Sequence, residues 1–65
     1  MKVRKEDFLK YVNDTITTQE FDDAKVIELS IFEYEKDDGK RKNYFTIDFA
    51  MDEGLISNDE SLEEI

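Results

Sequence analysis

Apolar and polar residues alternate with a period of two along Lys25–Met51, and this stretch organises the chain. In its first half Ile27, Leu29 and Ile31 fall on one face, with Val26, Glu28, Ser30, Phe32 and Tyr34 on the other. In its second half Phe45, Ile47, Phe49 and Met51 share a face opposite Tyr44, Thr46, Asp48 and Ala50. The β-branched and aromatic residues of both runs suit a pleated, half-buried surface. Asp37-Asp38-Gly39 separates them, so residues 25–51 are expected to form one antiparallel hairpin.

The pattern also selects the register. A two-residue Asp38-Gly39 loop pairs Ile31 with Thr46 and sets a core position against a surface one. A three-residue loop pairs Ile31 with Phe45, Leu29 with Ile47, Ile27 with Phe49 and Glu35 with Arg41. It also puts Gly39 at the left-handed position that such a bulged turn requires. The three-residue loop is therefore expected.

The rest of the chain must cover this hairpin, because two strands alone are marginal in water. Residues 1–16 place Phe8, Leu9, Val12 and Ile16 at helical spacing, with Tyr11 at the edge of the stripe. The expected core is therefore Leu29 and Phe49 packed against Leu9 and Val12. Thr17 and Glu20 fit a capping box, so residues up to Ala24 read as a short helical turn or equally as a polar loop. After Met51 the alternation stops at Asp52-Glu53-Gly54, and Ser57 with Glu60 makes a second possible box. The acidic segment 52–65 reads as a short helix or a tail. The fold class is α+β: a single small domain over residues 1–65, its N-terminal helix packed on an antiparallel β-hairpin.

Composition narrows what such a domain can do. Histidine and cysteine are both absent, which removes the usual neutral-pH acid–base group, the thiolate nucleophile and the commonest zinc ligands. No base adjoins Ser30, Ser57 or Ser61, and the two glycines form no phosphate loop. The acidic loops lack the ligand spacing of an EF-hand. No enzyme activity, metal or cofactor is therefore expected. The longest apolar runs are too short to span a membrane, and no basic-then-apolar leader precedes the domain. Both points, with the lack of cysteine, fit a cytoplasmic protein.

Net charge is -9. Residues 47–65 carry seven acidic and no basic side chains, whereas Lys36, Lys40, Arg41 and Lys42 make the hairpin tip basic. This acidity disfavours direct contact with nucleic acid or anionic membranes and favours a basic partner. Phe32, Tyr34 and Tyr44 share the outer hairpin face, where Glu28 opposes Asp48 although like charges across strands repel. Together with Asp22, Asp23, Asp52 and Glu53 they form the expected protein-binding site, the alternative being that Leu55, Ile56 and Leu62 fold back over the rings. The expected function is a small acidic inhibitor that occupies a basic, nucleic-acid-binding surface of another protein by charge mimicry. Its analogy to phage anti-defence proteins is one of size and charge. The other reading is a homo-oligomeric structural or regulatory subunit, for instance a homodimer, that uses the aromatic face and needs its acidity only for solubility.

Overall fold

The structure, a computed structural model, describes residues 1–50 and 54–65. Its elements run α1 (Lys5–Ile16), α2 (Gln19–Asp23), β1 (Val26–Glu35), β2 (Arg41–Ala50), β3 (Leu55–Ile56) and β4 (Leu62–Glu63). One four-stranded sheet results, in which β2 pairs with β1 on one edge and with both β3 and β4 on the other. The molecule is a slab of 38 × 25 × 17 Å, one sheet and one helical layer thick.

The hairpin has the expected register throughout, from Val26 opposite Ala50 to Glu35 opposite Arg41. Lys36 N–H donates to the Lys40 carbonyl (2.8 Å) and Gly39 N–H to the Lys36 carbonyl (2.9 Å), closing a three-residue loop. Gly39 has φ +78°, the left-handed conformation in which a Cβ is unfavourable. Asp38 tightens the turn by accepting from Lys40 N–H at 2.9 Å.

The helices differ in detail from those expected. Residues 1–4 precede α1, so the helix is shorter than residues 1–16. Thr18, not Thr17, caps α2: its hydroxyl accepts from Phe21 N–H at 3.2 Å, while Thr17 ends α1 and donates to the Asn13 carbonyl. The described part of the C-terminal segment, residues 54–65, forms no helix. Its two short strands instead satisfy the outward edge of β2, where backbone groups need partners. The terminus is tied down further by Ile65 N–H donating to the Lys2 carbonyl (2.9 Å).

These added strands decide where the core lies. Tyr11, Ile47 and Leu62 form it, with Val3, Val12 and Phe45 packed around them, and Phe49 is buried nearby against Phe21 at a ring distance of 6.1 Å. Phe49 is thus an inner residue as expected, but Leu29 is 60% and Leu9 55% exposed, so the expected packing of these two is corrected. A helix is about 10 Å across and strands lie about 4.8 Å apart, so one helix covers roughly two strands. Here α1 lies over β2 and β4, and β1 stays outside its cover.

Candidate protein-binding interface

On the face away from α1, the Phe32 and Tyr44 rings stack at 5.5 Å with an interplanar angle of 18°. Tyr34 meets Tyr44 edge-on at 6.2 Å. Cross-strand register places Phe32 directly opposite Tyr44, which is why these rings meet. Phe32 and Tyr34 are exposed and Tyr44 is half-buried. Leu62 does not fold over them, because it is buried on the other face with Tyr11 and Ile47.

The expected acidic residues separate into three groups. Glu28 opposes Asp48 as the register requires, and Glu28 is exposed. Asp22 and Asp23 are exposed on α2, but α2 is anchored through Phe21 to Phe49 on the helix-covered face, so they do not adjoin the aromatic rings. Asp52 and Glu53 lie outside the described residues.

Asp48 has a folding role that its opposition to Glu28 concealed. Its Oδ1 accepts from Asn58 N–H at 2.8 Å, pinning the loop between β3 and β4. Asn58 Nδ2 in turn donates to Tyr11 Oη (3.2 Å) and Thr15 Oγ1 (3.0 Å). The Tyr11 hydroxyl accepts from Ile47 N–H at 2.9 Å and donates to the Glu60 carbonyl at 3.1 Å. It thereby fills the gap on the β2 edge between β3 and β4, where Ile47 N–H has no strand partner. Burial is the main cause that raises the Tyr11 pKa above its ordinary value, against the lowering effect of the Ile47 N–H. No sequence signal pointed to this network, since Asn58 meets side chains 43 and 47 positions earlier.

At the hairpin tip three of the four cations are held by acids of the chain itself. Lys36 and Lys42 both pair with Glu63, and Arg41 Nη1 pairs with Glu33 Oε1 at 2.9 Å, diagonal to the Glu35 it opposes. The hydrogen bond between Lys36 and Glu63 raises the lysine pKa and lowers that of the glutamate. An open cleft of about 390 Å³ lies between the α1–α2 region and the loop that joins β3 to β4, lined by Asp14, Glu20, Asp59 and Glu60 among others. Among the described residues no group of three or more acidic side chains is arranged to hold a metal ion.

The arrangement defines the chain as a small α+β domain with a partly exposed aromatic cluster on its outer sheet face and a surplus of acid. No family model, curated protein or solved structure matches the chain. Among the described residues no helix is long and apolar enough to cross a membrane.

Proposed function

We propose that this chain is a non-enzymatic binding protein that lays the outer face of its hairpin on a basic surface of another protein. The observation that carries this reading is the exposed Phe32–Tyr44–Tyr34 cluster in a chain of net charge -9. Aromatic rings anchor interfaces, and surrounding acid steers a basic partner toward them. Pairing of Lys36, Lys42 and Arg41 within the chain lessens the repulsion the tip would offer such a partner. In its sharpest form the partner is a nucleic-acid-binding enzyme, and the protein inhibits it by occupying the site of the phosphates, as a phage anti-defence protein would.

The test is binding to a panel of purified basic nucleic-acid-binding proteins, with duplex DNA as competitor. The expected result is competition by DNA and a loss of affinity of about tenfold or more between 50 and 200 mM salt. Glu28→Gln should slow association and Tyr34→Ala should speed dissociation. Binding that ignores salt, DNA and both substitutions would overturn the reading.

A further inference from the structure

Among the described residues the outer edge of β1 is long and unpaired. It is ten residues long, the chain has no proline, and among the described residues no strand pairs with this edge. Natural proteins usually shorten, bend or cover such an edge. Its helix-side residues Ile27, Leu29 and Ile31 are 50%, 60% and 61% exposed. On α1 Phe8, which like Tyr11 contacts the Phe45 ring, and Leu9 and Ile16 on the adjoining flank are also apolar and exposed. Phe8 and Ile31 line one shallow hollow with Phe45, so that flank faces β1. These six side chains leave on the order of 600 Å² uncovered, most of the ~800 Å² that each partner contributes to a standard interface.

We infer that a second copy of this chain occupies the edge, β1 pairing antiparallel with β1 about a two-fold axis at Leu29. The sequence of β1 is self-complementary in this register. The loop hydrogen bonds turn the backbone groups of the even-numbered β1 residues toward β2, so those of Ile27, Leu29, Ile31 and Glu33 point outward. Pairing must therefore join odd residues to odd residues. With Leu29 on Leu29 of the second copy, Ile27 meets Ile31 and Val26 meets Phe32. A shift in one direction puts Glu28 on Glu28, and a shift in the other puts Ile27 on Glu33. Each of those carries a repulsive or buried-charge penalty. The isologous pairing joins the two sheets into one, with both α1 helices on the same side and their exposed flanks facing the joined edge.

Two copies of charge -9 repel, so salt should tighten the dimer while it weakens docking on a basic partner. The failure of this inference is thereby distinguishable from failure of the proposed function. Sedimentation equilibrium of the wild-type chain at about 0.5 M salt should give a mass that rises with concentration from 7.7 kDa toward twice that value. Leu29→Lys should remain folded by circular dichroism, because the side chain is exposed in the monomer, yet stay monomeric. The chain has no cysteine, so Leu29→Cys should form a disulfide-linked dimer under mild oxidation, and Ile27→Cys should not. A wild-type monomer up to about 0.5 mM, a Leu29→Lys variant that dimerises normally, or equal cross-linking at positions 27 and 29 would each overturn the inference.

Discussion

Gly39 and Tyr11 show how single residues hold this small domain. At Gly39 an added Cβ meets nothing within 4 Å, so the cost of Gly39→Val lies in the φ of +78° and not in a clash. The substitution should cost about 1–2 kcal/mol or more and lower the melting temperature, as thermal unfolding would measure. Tyr11→Phe keeps the ring in the core but strips the partner from the Ile47 amide, the Glu60 carbonyl and the Asn58 side chain. A loss of about 1–3 kcal/mol in urea unfolding is expected. Because the folded pKa of Tyr11 lies above 10.0, its contribution is fully present below that pH and is lost as pH rises through the folded value. The phenylalanine variant should lack this alkaline component.

At the scale of elements, the two long strands are unequal. β2 has neighbours on both edges and lies under α1, and Phe49 on it is 6% exposed. β1 has β2 alone among the described strands. Phe49→Ala should therefore cost about 3–5 kcal/mol, enough to unfold a domain of this size, whereas Leu29→Ala should change monomer stability by less than about 1 kcal/mol. Denaturant unfolding at low protein concentration separates the two. Glu63 on β4 joins the C-terminal strand to Lys36 and Lys42 near the tip. With its carboxyl held below the ordinary 4.5, the stabilisation is present above that pH and is lost as pH falls through the folded value. Glu63→Gln should accordingly flatten the acid limb of the stability profile. On the outer face, Glu28→Gln should raise stability by about 0.2–1 kcal/mol by relieving the repulsion from Asp48.

At the scale of the whole molecule, one layer of helix over one sheet leaves, among the described residues, an exposed aromatic cluster and an unpaired strand edge. The aromatic face carries the proposed docking surface, and the β1 edge carries the proposed self-association. In a dimer the two aromatic clusters would lie on one continuous sheet, so a partner could meet both at once and gain avidity. Capture of a basic partner should then show a steeper concentration dependence for the wild type than for Leu29→Lys, as surface binding with the partner immobilised would reveal.

The hairpin and its register were legible from sequence because they depend on local quantities: a two-residue alternation, a loop length and one glycine at a forced φ. The meeting of Phe32, Tyr34 and Tyr44 followed from the same register. Tertiary structure alone decided the rest. Pairing of Leu55–Ile56 and Leu62–Glu63 with β2 moved α1 off the hairpin's centre, which exposed Leu29 and Leu9 and made Tyr11 and Leu62 the core. Asp48 and Asn58 acquired their roles in the same step, through contacts with α1 and the loop after β3. Two-residue strands carry almost no periodic signal, and side chains over forty positions apart meet only once every element is placed. Apolar spacing states that a face is to be buried. Which neighbour buries it depends on how few elements a short chain has to cover its sheet.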